Sequence, residues 1–162
     1  MKHKIFYSIF PVFIPWISFW NQFGPTVKDL SKAKVAVAKN CDKPEDALQW
    51  NAVFALTNAS REKGLGGVKE PLGHGDAMLF VFEKPMKVSF WMKDTLIPLQ
   101  IGYFDAKGKL TQTYEMPIEK NPADPKGIYT SRTETMVAIE VAPKSIKKTS
   151  GMQLCLEKPR TP

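Results

Sequence analysis

Histidine and cysteine are scarce in this sequence. Its 162 residues include two of each, and one of the histidines, His3, lies at the extreme N-terminus. Zinc and di-iron centres that depend on several histidine ligands are excluded by this count, and we expect no metal site. Glycine and proline number 10 and 13 and follow no period, while hydrophobic and charged residues make up 43% and 24% of the chain. These values exclude collagen-like, low-complexity and disordered chains and indicate a single globular domain.

Acidic residues are absent from residues 1–25. This segment holds five of the ten phenylalanines, two of the four tryptophans and only two lysines, both before the uncharged run at 5–20. A cationic start followed by such a run is typical of a secretory signal peptide or an N-terminal membrane anchor. Pro11 and Pro15 interrupt the run, which is short for a spanning helix, and no small-x-small cleavage pair follows it closely. Cleavage, retention as an anchor and a buried apolar helix are the three interpretations.

Export is the expectation that the opening segment favours. The protein would then be periplasmic, secreted or anchored to the outer face of the cytoplasmic membrane through residues 1–25. The chain divides into this segment, a linker and terminal element over residues 26–49, and a β domain over residues 50–158.

Clustered positive charge is missing from residues 26–162. They carry 21 basic and 16 acidic residues, and Lys147 and Lys148 form the only adjacent basic pair. Aromatic residues do not alternate with the positive charges, as a platform for stacked nucleotides would require. We therefore expect no nucleic-acid partner. We also expect no cofactor, and a monomer whose partner is a small molecule or an envelope component.

The two cysteines, Cys41 and Cys155, lie near the two ends of the exported part. A bridge between them would close about 115 residues and restrict the unfolded chain by roughly 4–5 kcal/mol. An oxidising compartment would permit that bridge. Two unpaired thiols are the alternative, and the spacing alone does not decide between them.

Hydrophobic residues mostly alternate with period two, and turn signals recur every eight to twelve residues. This pattern predicts a mainly β, compact single-domain sandwich or barrel-like fold with one or two short helices. The stretch 77–82 is continuously apolar, as in a strand that is covered on both faces. The predicted strands are 52–57, 77–82, 86–93, 96–104, 109–116, 135–141 and 152–156, with a turn at 83–85 and a meander over the middle three. Short helices are predicted over 59–63, capped by Asn58 and ended by Gly64, and over 143–148.

One long stretch carries a family resemblance. The residues "AMLFVFEKPMKVSFWMKDTLIPLQIGYFDAKGKL" resemble the signature of domain of unknown function family 192, and "ASREKGLGG", "IYTS" and "MVAIEVAP" resemble its flanking elements. Together these pieces cover about residues 50–150. The resemblance implies a compact, mainly β domain that is often found behind a signal sequence. It implies no established biochemical activity.

Three positions depart from the family pattern. Gly66 stands where the family has Met, Asp94 stands for the usual Asn, and Gln100 stands for the usual Asp. The loss of an acid at position 100 weakens any catalytic interpretation that is centred there.

The polar turn Lys93-Asp94-Thr95 beside Trp91 is the candidate ligand-binding site. An aromatic side chain next to a few convergent polar groups suits a small ligand or a sugar ring. Three residues could join this site in space, namely Tyr129, Ser131 and Arg132. In the structural alternative, Trp91 covers the sheet and the turn closes a hairpin.

Three functions remain open from the sequence. We expect an accessory or small-ligand-binding module of the cell envelope. The first alternative is an envelope hydrolase or carbohydrate-active enzyme, and the second is a scaffold for a protein partner. A hydrolase would use His74 with Ser89 or Ser131 and Asp76 or Asp94, or pair Asp94 with Glu115 or Glu134. No Gly-x-Ser-x-Gly elbow accompanies the serines.

Overall fold

A computed structural model describes residues 28–42, 47–147 and 151–156. The segment 1–25 and its expected export role lie outside the described residues. The described residues form nine strands and one helix, in this order: β1 (Lys32–Ala38), β2 (Leu48–Ala55), α1 (Asn58–Lys63), β3 (Asp76–Met86), β4 (Ser89–Trp91), β5 (Leu99–Phe104), β6 (Leu110–Met116), β7 (Ile128–Thr130), β8 (Thr135–Val141) and β9 (Gln153–Leu156). Among these residues, no helix is long and apolar enough to cross a bilayer.

Seven strands form one sheet in the order β6-β5-β8-β3-β2-β1-β9. Strands β2 and β3 pair in parallel, and every other neighbouring pair in this sheet is antiparallel. A parallel pair cannot be joined by a tight hairpin, because the chain must return to the end at which the first strand began. The connection between β2 and β3 contains α1 and a long loop over residues 64–75.

The large sheet curls until its two edges meet. Lys109, just before β6, forms a bridge with Gln153 of β9, and the Leu110 N–H donates to the Met152 carbonyl at 2.8 Å. The Leu154 N–H donates to the Gly108 carbonyl at the same distance. The result is a barrel-like fold, which confirms the predicted mainly β class.

Alternation along β3 divides the hydrophobic residues between two cores. Ala77, Leu79 and Val81 pack inside the curled sheet with residues of β1, β2, β8 and β9. Met78 and Phe80 point to the outer face, into a second core that also receives residues of β5 and β6. Strand β3 is thus covered on both faces, as its continuous apolar sequence predicts.

A small separate sheet covers part of the outer core. Strands β4 and β7 pair antiparallel, with Phe90 opposite Tyr129 and Trp91 opposite Ile128. The predicted meander is wrong at this point, because β4 pairs with β7 and not with β5. The predicted turn at 83–85 is wrong as well, since β3 continues to Met86 across a register shift in its pairing with β8.

Helix α1 begins one residue earlier than predicted, at a cap formed by Thr57. The Thr57 hydroxyl accepts from the Ser60 N–H at 3.2 Å, and the Ser60 hydroxyl accepts from the Thr57 N–H at 3.1 Å. Asn58 is therefore the first helical residue and not the cap. Gly64 ends the helix, as predicted, with a φ of +48° that favours glycine. The second predicted helix is not formed over 143–147, where the chain makes turns, and residue 148 lies outside the described residues.

Cys41 and Cys155 form a disulfide, with their Cα atoms 5.6 Å apart across 114 residues of sequence. Both side chains are buried beside Ala36 and Ala38 of β1. The bridge joins the turn after β1 to β9, the strand that pairs with β1. Strand β1 lies within residues 26–49, which were expected to hold a linker and a terminal element. It pairs with both β2 and β9.

Candidate functional site

An open cleft of about 360 Å³ lies between α1 and β4. Its floor is the outer face of the large sheet, where β3 contributes Phe80 and β8 contributes Glu140. One wall is the end of α1 with the residues that follow it. The other wall is β4 with the turn after it, because β4 belongs to the small sheet that stands over the outer core.

Aromatic side chains form much of the inner surface of the cleft. Phe80 and Phe90 meet edge to face, with their ring centroids 4.9 Å apart. Phe90 in turn meets Tyr103 at 6.0 Å. Edge-to-face pairs of this kind hold rings in fixed orientations. The cleft therefore has a preformed apolar wall.

Trp91 and Lys93 form the outer rim of the cleft. The Lys93 Nζ lies 5.5 Å from the centroid of the Trp91 ring, in a cation–π contact. Trp91 is 49% exposed, so it does not cover the sheet as a buried residue would. An exposed ring held by a cation offers a flat stacking surface at the mouth of the cleft.

The turn after β4 has a constrained backbone. Asp94 has a φ of +53°, a conformation in which Asp and Asn are the most tolerated residues after glycine. Its N–H donates to the Pro122 carbonyl and its carbonyl accepts from the Gly67 N–H, both at 2.8 Å. Asp94 thus stabilises the turn through its backbone groups. The Asn that is usual in the family tolerates the same positive φ. Thr95 is buried, and its hydroxyl donates to the Lys93 carbonyl at 3.2 Å.

Arg61 anchors α1 to the floor of the cleft. Its Nη1 donates to the carbonyls of Leu56 and Val81, the latter at 2.8 Å, and its guanidinium lies 5.5 Å from the centroid of the Phe82 ring. These contacts fix the guanidinium against the protein. Arg61 is therefore part of the frame of the site, while its charge still acts on the cleft.

Glu140 lies at the floor and is the residue that sequence reasoning missed. It is 5% exposed, and its Oε2 has no hydrogen-bond partner. Its cross-strand neighbours are Met78 and Ile101, both apolar. Burial raises the pKa of Glu140 to about 8, so the carboxyl is mostly protonated at pH 7. The available signal was one acid inside a strand, 135–141, that is otherwise hydrophobic apart from its first residue.

Positive charge predominates around the mouth of the cleft. Lys63, Lys87 and Lys93 line it together with Arg61, and Glu62 is the one acid on the lining besides Glu140. Within the described residues the one salt bridge joins Lys126 and Asp124, neither of which lines the cleft. None of the cleft lysines therefore forms an ion pair with another residue in the described part of the chain. A negatively charged group would be attracted to this mouth.

Four of the predicted site residues lie outside the cleft lining, namely Asp94, Tyr129, Ser131 and Arg132. Ser131 is buried, and its hydroxyl accepts from the Val88 N–H at 3.1 Å, so it ties the chain after β7 to the start of β4. Arg132 donates from its backbone N–H to the Gln112 side chain at 2.9 Å. Tyr129 packs against Tyr114, with their ring centroids 5.7 Å apart. Of the predicted site residues, the cleft brings together Trp91, Lys93 and Thr95 in its lining.

The residues of the hydrolase alternative are dispersed or engaged elsewhere. His74 is exposed in the loop before β3 and does not line the cleft. The Ser89 hydroxyl hydrogen-bonds with that of Thr130 at 2.8 Å. Glu115 accepts a bond of 2.7 Å from Gln100, whose amide also bonds both backbone groups of Ile146. The Gln100 side chain therefore fixes the loop after β8. Among the described residues, no group of three or more potential metal ligands occurs.

The fold is similar to those of two solved structures. A protein from Sinorhizobium meliloti 1021, described as a proposed transcription regulator, matches with a TM-score of 0.66 and 21% identity over 79% of this chain and 95% of that chain. A protein of unknown function from Novosphingobium aromaticivorans DSM 12444 matches with a TM-score of 0.64 and 23% identity over 80% and 88%. At these identities the likeness shows the fold alone. No curated protein has significant similarity to the chain.

Family membership follows from the central part of the sequence. The family DUF192, described as an uncharacterized ACR, matches residues 40–154. The match includes both walls and the floor of the cleft, and it confirms the resemblance seen in the sequence. The chain belongs to the DUF192 family.

Proposed function

We propose that this protein is a small-ligand-binding accessory module of the cell envelope and that the cleft between α1 and β4 is its binding site. The observation that carries the proposal is the exposed Trp91 ring, held by Lys93, at the mouth of a cleft with aromatic walls. The cleft volume of about 360 Å³ falls within the range of about 300–1,000 Å³ that is usual for small-molecule sites.

The envelope location is supported by two independent features. The opening segment has the composition of a secretory signal or an anchor. The Cys41–Cys155 disulfide is typical of proteins that fold in oxidising compartments. Fractionation of cells that express the full chain tests this location. Recovery of the protein in the cytosol with reduced thiols would contradict it.

A binding screen by thermal shift tests the ligand-binding function. The panel contains neutral sugars, sugar acids, fragments of envelope polymers, nucleotides and divalent metals. A ligand at one hundred times its dissociation constant stabilises the folded state by about 2.7 kcal/mol, which raises the melting temperature by about 5–11 °C for a chain of this size.

Two variants locate the site. We expect Trp91→Ala to abolish the shift and His74→Ala to retain it. Both side chains are exposed, but only Trp91 lines the cleft. Both variants must melt cooperatively. A panel with no shift that depends on Trp91 would refute binding at this cleft.

A further inference from the structure

We infer that the ligand of the cleft is a small polyhydroxylated acid, such as a sugar acid, with one hydroxyl bonded to Glu140 at the floor and its acidic group beside the lysines at the mouth. The inference rests on the proposed function and names the class of ligand. Three features of the cleft support it separately: the floor, the mouth and the wall.

The floor presents a carboxyl that lacks a partner. Buried polar atoms in folded proteins are nearly always hydrogen-bonded, so the orphan Oε2 of Glu140 requires an explanation. The groups opposite it on β3 and β5, Met78 and Ile101, offer no donor from their side chains. Oε2 itself is buried, but Glu140 lines the cleft, so a rotation of its carboxyl group would let a bound ligand supply the missing bond.

The chemistry of the carboxyl selects a hydroxyl. A protonated carboxyl has one donor and further acceptor capacity, and a hydroxyl can donate and accept as well. A cationic amine would meet an uncharged group at the floor after passing the basic mouth. A purely apolar ligand would leave Oε2 without a partner, which is costly in a buried site.

The mouth of the cleft favours an anion. Lys63, Lys87 and Lys93 come from three different segments, and Glu62 opposes them with one negative charge. Their fields add at the mouth, where the low-dielectric walls of the cleft strengthen them. A ligand with a carboxylate at one end and a hydroxyl at the other would satisfy the mouth and the floor together.

The wall suits a sugar ring. Trp91 lines the cleft from β4, and its exposed ring can cover the C–H face of a pyranose. The volume of about 360 Å³ holds one such ring with its substituents.

Three probes with the same pyranose ring test the class of ligand. D-glucuronate, D-glucose and D-glucosamine present an anionic, a neutral and a cationic substituent, and their affinities for the full chain are measured by calorimetry at pH 7. We expect glucuronate to bind about tenfold more tightly than glucose, and glucosamine more weakly than either. Lys87→Ala should reduce the preference for glucuronate, because it removes one cation from the mouth.

Two substitutions at the floor separate recognition from folding. Glu140→Gln keeps a donor and an acceptor and should retain glucuronate affinity within about threefold at pH 7. Glu140→Leu has neither and should lose about tenfold or more, although it fills an apolar site and should fold. Equal affinities in the two variants would overturn the role of Glu140.

The pH dependence of binding gives an independent readout. Ionisation of Glu140 above pH 8 places a negative charge under an anionic ligand, so the wild-type affinity for glucuronate should fall about tenfold between pH 7 and pH 9, while that of Glu140→Gln should not. The comparison is matched because the variant keeps the charged groups that line the cleft with Glu140, namely Arg61, Glu62, Lys63, Lys87 and Lys93, and Tyr103, which interacts with the carboxyl. Parallel profiles would contradict the inference.

Failure of the inference is distinct from failure of the proposed function. If glucose or glucosamine binds as tightly as glucuronate, or if only an unrelated compound of the screen binds in a way that depends on Trp91, the class of ligand is wrong and the binding function stands. If no compound binds in that way, the binding function itself fails.

Discussion

The hydroxyl of Tyr103 donates a hydrogen bond of 2.6 Å to the backbone carbonyl of Tyr129. The donor is buried on β5 of the large sheet, and the acceptor belongs to β7 of the small sheet. This bond ties the sheet that carries Trp91 to the outer core. Burial is the main cause that raises the pKa of Tyr103, and the nearby Glu140 carboxyl raises it further, so the hydroxyl keeps its proton.

Tyr103→Phe should lower the free energy of unfolding by about 1–3 kcal/mol, because a buried hydrogen bond is lost without a compensating one. Tyr114→Phe is the matched control, since the Tyr114 hydroxyl donates to the Thr130 carbonyl at 3.1 Å in a more exposed place. Its cost should stay below about 1 kcal/mol. Urea unfolding measures both losses of free energy. Equal losses would show that the Tyr103–Tyr129 bond stabilises the fold no more than the exposed bond of Tyr114 does.

Replacement of both cysteines by serine should destabilise the domain by roughly 4–5 kcal/mol. The disulfide spans 114 residues, and its loss increases the entropy of the unfolded chain. The wild-type protein unfolded in the presence of a reductant should show the same loss. An unchanged urea midpoint in the double variant would mean that the bridge does not stabilise the fold by restricting the unfolded chain.

Glu140→Gln should change the dependence of stability on pH. The folded state holds the proton of Glu140 up to pH 8, while the unfolded chain releases it near pH 4.5, so the wild-type protein loses stability as the pH rises between these values. The variant lacks this loss, and its stability relative to wild type should increase by a few kcal/mol from pH 4 to pH 8. Urea midpoints at several pH values measure the difference, and a constant difference would place the carboxyl in a more polar setting.

Asp29→Ala should weaken the start of α1 and remove part of the acid sensitivity. The Leu56 N–H, then the Ser60 and Thr57 hydroxyls, lower the pKa of Asp29 to about 2. The stability that these bonds give is present above about pH 4 and is lost as the pH falls towards 2. Because solvent screens this exposed carboxylate, we expect a loss of no more than about 1 kcal/mol at pH 7, which shrinks as the pH falls from 4 through 2.

The exposed Glu83 on β3 provides the control for that measurement. Glu83→Ala should leave the urea midpoint within about 0.5 kcal/mol at both pH values, because surface substitutions away from such networks have small effects. If Asp29→Ala behaves in the same way, the Asp29 network does not hold the helix.

Local sequence patterns predicted the strands that are buried on both faces. The bounds of β8 agree with the prediction at 135–141, and the apolar run 77–82 lies within β3. The pairing of β4 with β7 could not be predicted in this way, because 36 residues separate Trp91 from Ile128 and three-residue strands have almost no period. Strand β1 was missed because its first three residues are exposed and only its second half is apolar and buried.

Only the β4 side of the candidate site was predicted from the sequence. Trp91 and Lys93 were identified from their local sequence, since an aromatic residue beside a polar turn is visible there. Glu140 was not, because it reaches the cleft through the pairing of β8 with β3 and β5, which no local pattern encodes. The contribution of α1 was missed for the same reason.

The pairing of β1 with β9 constrains how the chain can reach its final form during synthesis. One edge of β1 pairs with β2 as soon as residue 55 is available, but the other edge waits for residues 153–156. An uncovered strand edge can recruit other chains, and contacts between distant residues form slowly. The incomplete chain therefore keeps an uncovered edge on β1 until residues 153–156 are available, and the late pairing of β9 is the step that protects this edge from other chains.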